Sequence, residues 1–149
     1  MNRINLAHPA EGDVTYIISA EREANGPSGN KANAEAMIQL ARELESIRAR
    51  GWAHNVHPIA GAYCGRPEES LAVVGKDTTE LWVAITHLAL RYDQESILMI
   101  TPDGSGTLGF MDGRDPMPIG RMVAVDPMAL ADLEAYSIIK ATGEAFTFA

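Results

Sequence analysis

The sequence predicts an α+β fold: a two-layer sandwich in the ferredoxin-like βαββαβ order, with additional C-terminal strands. Three observations predict it. Two segments carry their apolar residues on one helical face. Short β-branched or apolar segments of strand length stand before, between and after them. The breaks at residues 26–29, 61–67, 102–106 and 112–118 are spaced like loops inside one domain, not like a linker.

Residues 14–20 read VTYIISA, β-branched and aromatic, which suits a strand. A polar loop follows at 21–29. A helix is expected over about 31–50, because Met37, Leu40, Ala41, Leu44 and Ile47 recur at three- and four-residue steps. Asn30 can cap its start and Gly51 can close its end. Residues 52–63 read as extended, and 69–74 (ESLAVV) as a better strand. Asp77 stands three residues before Glu80, a capping-box spacing that opens a second helix over 78–91. Leu81, Trp82, Ile85, Leu88, Ala89 and Tyr92 form its buried stripe, with Leu44 and Ile85 as the central core residues of the two helices. Residues 96–101 (SILMIT) suit a central strand. Strands at 107–111 and 121–125 follow the Asp103-Gly104 turn, a helical turn opens at Asp126-Pro127, and a last hairpin spans 136–148.

The 149 residues are read as one domain, with a polar N-terminal tail over 1–12 and a C-terminal extension of the sheet over 114–149. The net charge of −8 argues against broad phosphate binding, and the basic residues do not alternate with aromatics, so no nucleic-acid partner is expected. No apolar run reaches the roughly 20 residues of a membrane span, and the first twelve residues lack the apolar centre of a signal peptide. The single cysteine, Cys64, fits a reducing compartment, so a cytoplasmic location is expected.

Several motifs invite a reading that their context denies. Residues 104–109 match G-x-G-x-x-G, but they run into Asp112-Gly113 and two prolines where a dinucleotide site needs a helix. A glycine-rich hairpin is the better reading. His54 and His57 are three apart in an extended stretch and would face opposite sides; no metal and no cofactor are expected. Cys64 has Arg66 nearby but no histidine placed beside it, which favours an incidental thiol.

Three stretches together resemble an uncharacterised bacterial family, the domain of unknown function numbered three-two-nine-three, over roughly residues 14–113. They are Ser19-Ala20 with the loop to Asn30 and Asn33, Glu69-Ser70-Leu71-Ala72-Val73-Val74-Gly75, and Tyr92-Asp93-Gln94-Glu95-Ser96-Ile97. The loop here, Glu21 to Pro27, departs from the Trp-Asn-Pro-like segment of that family. The resemblance implies a fold and a polar site but no reaction.

Arg22, Asn25, Asn30, Glu69, Ser70, Gln94 and Glu95 all stand at ends of elements, where a rigid scaffold presents functional groups. If they converge, an Arg, amides and carboxylates beside a helix N-terminus suit a polar or anionic, nucleotide-like small molecule. The plainer reading is that Asn30 only caps, Gln94 and Glu95 finish a turn, and Glu69 meets Arg66. The leading expectation is a ligand-binding domain acting as a sensor or sequestering protein. One alternative is a protein-interaction module, a small inhibitor or assembly subunit, with a protein partner or a second copy of itself. The other is a small hydrolase or transferase using Glu69 or Glu95 as a base.

Overall fold

A computed structural model describes Leu6, residues 9–63 and residues 65–149. Cys64 and most of the first eight residues lie outside the described residues. The chain runs β1 (Asp13–Ile18), α1 (Lys31–Ala49), β2 (Asn55–Tyr63), β3 (Arg66–Lys76), α2 (Thr79–Arg91), β4 (Ser96–Ile100), β5 (Ser105–Phe110), β6 (Met117–Val125), β7 (Ala135–Ile139) and β8 (Ala145–Phe148). Short 3₁₀ turns cover Glu23–Asn25 and Pro127–Asp132.

The strands close into an antiparallel eight-stranded barrel in the order β1-β3-β2-β7-β8-β6-β5-β4, with β4 returning to β1. This corrects the two-layer sandwich. The strands of the last third do not extend an open sheet; they carry it round from β4 to the far edge of β2, where Ile59 faces Ile139 and Tyr63 faces Ala135. The physical reason lies in β1 and β3, which are apolar on both faces. Val14, Tyr16, Ile18, Leu71 and Val73 face the helices. Ile17, Ala72 and Val74 point the other way, and an open sheet would leave them in water. Closure packs them with Leu6, Ile59, Ile139, Phe146 and Phe148 in the barrel interior.

The helices lie against the outside of the β4-β1-β3 run. Leu40, Leu44 and Ile47 of α1 and Leu81, Ile85, Leu88 and Ala89 of α2 are buried with the strand residues they cover. Asn30 caps α1 by accepting from the Asn33 N–H. The cap of α2 is Thr78, which accepts from the Leu81 N–H, so Asp77 does not take the capping role. Trp82 rests on Tyr16 with ring centroids 5.9 Å apart.

The glycine-rich segment forms the β4–β5 hairpin and the strand after it. Gly104 takes a φ of +84° at the turn. Gly106 faces inward, where a Cβ would stand 2.5 Å from the Phe148 ring, so the missing side chain makes room for that ring. No helix in the described residues is long and apolar enough to cross a membrane.

Candidate functional site

The sheet topology gathers all seven sequence-predicted residues at one end of the barrel. β3 and β4 flank β1 and are both antiparallel to it, with Ile18 opposite Leu71 and Ile17 opposite Leu98. The start of β3 (Glu69, Ser70) and the residues before β4 (Gln94, Glu95) therefore lie on either side of the end of β1. There the chain enters the loop that holds Arg22, Asn25 and Asn30.

Beyond Ile18 the β1–β3 backbone ladder stops, and side chains take over. Ser19 Oγ donates to the Glu69 carbonyl at 2.6 Å, and the Glu69 N–H donates to Glu21 Oε1 at 2.6 Å. Glu21 is buried, only 8% exposed. Its Oε1 also accepts from Ser28 Oγ at 2.6 Å, and its Oε2 accepts from the Gly29 N–H at 2.8 Å. Three donors thus stabilise a carboxylate that has no ion-pair partner among the described residues. Gln94 closes the other side, with Nε2 donating to the Glu21 carbonyl at 2.9 Å and to the Tyr92 carbonyl at 3.2 Å.

Asn33, buried in the first turn of α1, organises the loop. Its Oδ1 accepts from the Arg22 N–H at 2.9 Å and from Asn25 Nδ2 at 3.0 Å. Its Nδ2 donates to the Arg22 and Pro27 carbonyls, both at 3.3 Å. Asn30 Nδ2 adds a bond to the Asn25 carbonyl. Asn33→Ala removes several part-buried bonds that tie the loop to α1 and, at about 0.5–1.5 kcal/mol per bond, is expected to cost about 1–3 kcal/mol. Limited proteolysis of this variant should show new cleavage within residues 22–29, and unchanged stability and digestion would refute the assignment.

The charged side chains at this end are largely matched. Arg22 meets Asp93 at 3.0 Å, Arg66 meets Glu23 at 2.7 Å, and Lys140 meets Glu69 at 2.6 Å. Arg114 meets Glu95 at 3.0 Å and Asp112 at 2.7 Å, and stacks over Phe110. Exposed pairs of this kind add little stability. They do decide which groups are available. Arg22 is engaged with Asp93. Glu69 and Glu95, the carboxylates proposed from sequence as bases, each sit in an ion pair, and the Glu95 side chain is 77% exposed.

Glu68 differs. Its carboxylate forms no hydrogen bond or ion pair among the described residues. Strand alternation places it with Ser70 and Ala72 on the face that lines the interior, while Glu69 lies on the other face. Glu68 stands opposite Gly61, which stands opposite Ser137, which stands opposite Phe146. At Gly61 a Cβ would stand 3.2 Å from the Tyr136 carbonyl, so the missing side chain lets β7 approach β2 closely. Ser70 is buried one step further in. The Glu68 side chain reaches solvent at the barrel mouth, yet neighbouring atoms exclude enough water to raise its proton affinity above that of an ordinary carboxylate. The Glu21 charge raises it further, and Arg66 opposes the rise.

Glu21, Asn33 and Glu68 carry this arrangement, and none was selected as a site residue from sequence. Two signals were available. The adjacent pair Glu68-Glu69 in a strand must send one carboxylate to each face. Glu21 stands directly after an apolar strand, ahead of a loop rich in donors.

Two shallow, open concavities lie elsewhere. One runs between the helices, lined by Glu43, Ile47, Arg50, Trp52, Leu88 and Arg91; the other is lined by Trp52, Thr79, Val83 and His87. Neither lies at the barrel mouth, where the loops converge on Glu68 and its proton affinity is raised, and that end is the stronger candidate for chemistry. Among the described residues no group of three or more His, Cys, Asp or Glu side chains could hold a metal ion.

The model of one protein family, described as the S-Adenosylmethionine lyase family, matches residues 16–149. No curated protein matches the sequence. The family match runs through the C-terminal strands that the resemblance to an uncharacterised family left aside, and it replaces that resemblance with a family named for a reaction. It also corrects the leading expectation of a sensor or sequestering domain, because the family is one of enzymes.

Proposed function

Because the chain belongs to the S-adenosylmethionine lyase family, we propose that it binds S-adenosylmethionine at the barrel mouth and breaks one of its carbon–sulfur bonds. Glu68 is the carboxylate that meets the substrate. The observation that carries this reading is a carboxylate of raised proton affinity, without a side-chain partner among the described residues, on the interior face of β3 at the end where the loops converge.

The chemistry of the substrate supports the choice. S-adenosylmethionine carries a sulfonium, an ammonium and a carboxylate, so it is a net cation. A chain of net charge −8 attracts it. The sulfonium is already a leaving group and needs no acid to protonate it. In a lyase step the carbon–sulfur bond breaks with its electron pair staying on sulfur, which departs as a neutral thioether. The carbon left behind is satisfied from within the substrate. Either the pair of an adjacent C–H bond forms a double bond while its proton passes to a base, or a lone pair of the substrate closes a ring. Glu68 serves the first route as the base. It serves both as a fixed negative charge that orients the sulfonium or ammonium. Charge is cancelled or dispersed as the bond breaks, and partial exclusion of water at Glu68 favours such a step.

The other groups position. The helix N-terminus behind Asn30, the amide of Asn25 and the Arg22–Asp93 pair edge the mouth and supply donors for the substrate carboxylate or the adenine and ribose edges. A cytoplasmic setting suits the reading, since S-adenosylmethionine is made there and a single cysteine needs no disulfide partner.

The test is incubation of the purified protein with S-adenosylmethionine alone, followed by mass spectrometry. Substrate is expected to disappear into two products whose masses sum to that of S-adenosylmethionine. Intact substrate, or products whose summed mass is greater by one water, would refute a lyase.

A further inference from the structure

The carboxylate of Glu21 takes no part in the step described above, yet it is buried and accepts three hydrogen bonds from two separate segments, β3 and the loop before α1. Resting on the reading that Glu68 meets S-adenosylmethionine, we infer that Glu21, seconded by Ser19, is the positioning residue of the site: it clamps the Glu69 peptide and so holds the adjoining Glu68 side chain at the barrel mouth.

The geometry is that of a ladder continued by side chains. After Ile18 the backbone of β1 leaves the sheet, and the peptide at Glu69 loses its main-chain partners on that side. Ser19 Oγ replaces the donor, bonding the Glu69 carbonyl, and Glu21 Oε1 replaces the acceptor, taking the Glu69 N–H. The Glu21 N–H in turn donates to Ser19 Oγ at 3.0 Å, so the two clamping groups brace each other. Both atoms of the Glu69 peptide that face β1 are held, one residue from Glu68.

The same carboxylate fastens the loop through Ser28 and Gly29, and the Glu21 carbonyl accepts from Gln94. The start of β3, the approach to α1 and the approach to β4 therefore meet at one residue, the first two at its carboxylate and the third at its carbonyl. Three N–H or O–H donors point at it. A carboxylate can accept all three on its two oxygens, whereas a carboxamide would turn an NH₂ toward one of them. The charge has a second consequence. Among the described residues, Glu21 at the end of β1 and Arg66 on Glu68's own strand are the charged groups that act on Glu68, in opposite senses.

The experiment compares the unmodified protein with E68Q, E21Q and E21D, measuring kcat and KM for S-adenosylmethionine across pH. E21Q is expected to lower kcat roughly tenfold or more, because misplacing a reacting group by ~1 Å can cost about 10²-fold. KM should change much less. The acid limb of the kcat profile should move to lower pH, since removal of the Glu21 charge lowers the proton affinity of Glu68. E21D keeps the charge on a shorter arm; the limb should stay in place while kcat recovers in part. If E21Q does not fold, Ser19→Ala removes the bond to the Glu69 carbonyl without touching the Glu21 charge, and should lower kcat severalfold with the limb unmoved. If the unmodified protein turns over and E68Q does not, an E21Q (or, where that does not fold, S19A) kcat equal to that of the unmodified protein overturns the positioning role alone. An E21Q loss shared equally by kcat and KM with an unmoved limb also overturns it, because that is the signature of a general structural defect. Absence of turnover in the unmodified protein, or full activity in E68Q, overturns the site reading and this inference together.

Discussion

Glu68→Gln is expected to lower kcat for S-adenosylmethionine by about 10²–10⁴-fold, the range that a positioned acid or base contributes. The substitution keeps the size and shape of the side chain and removes its charge and its ability to take a proton. The Glu68 carboxylate makes no hydrogen bond or ion pair among the described residues, so the change breaks none there and the melting temperature should stay close to that of the unmodified protein. Glu69→Gln, one residue along and on the opposite face, removes the partner of Lys140 and serves as the control, with a far smaller effect on turnover. The pH dependence follows from the direction of the Glu68 shift. Its proton affinity is raised by desolvation first and by the Glu21 charge second. The active form is the carboxylate, so activity should be full at neutral pH and fall away as pH drops through a value above the ordinary carboxylate range. A rate that is flat across mildly acidic pH, or an E68Q variant with full turnover, would remove Glu68 from the chemistry.

Leu44→Ala and Ile85→Ala are each expected to destabilise the protein by about 2–5 kcal/mol, the cost of lost apolar contact plus the cavity left behind. Both side chains are 0% exposed and belong to one cluster with Tyr16, Ile18, Val73 and Ile97. Leu44 sits mid-stripe on α1, and Ile85 sits mid-stripe on α2. Both helices lie over strands whose other faces line the barrel, so loosening either helix exposes the wall that carries the start of β3. Urea melts should report the loss as a lower midpoint with little change in slope. Losses under ~0.5 kcal/mol for both variants would mean that the helices do not pack through these faces.

The same two residues show what could be read locally. Helical periodicity marks a face without reference to any other part of the chain, and Leu44 and Ile85 are buried as that periodicity requires. The caps are nearly as local: Asn30 was legible from its place before an amphipathic run, and the start of α2 was misread by one residue between Asp77 and Thr78. The Asp103-Gly104 turn was legible because a positive φ suits glycine. In each case the determining interactions lie within a few residues of one another.

Closure of the barrel was not legible in this way, although one clue was present. The apolar residues on both faces of β1 and β3 require cover on both sides, but they do not say whether a second sheet, a partner or the chain's own last third supplies it. Pairing of β7 with β2 joins residues 72 to 80 positions apart, from Tyr63 with Ala135 to Ile59 with Ile139, through backbone N–H and C=O groups, which are alike in almost every residue. No side-chain pattern announces such a bond.

The site follows the same division. Composition and position marked Arg22, Asn25, Asn30, Glu69, Ser70, Gln94 and Glu95 as polar groups at the ends of elements, and the sequence by itself determined that much. The tertiary structure decided that these ends are one end, because β3 and β4 both run antiparallel to β1 on either side of it. It also decided that Glu69 and Glu95 are engaged by Lys140 and Arg114, while Glu68 meets no cation among the described residues. Which carboxylate is available depends on which cations the fold brings within about 3–4 Å, a distance set by strand pairing across the whole chain and not by any neighbour in sequence.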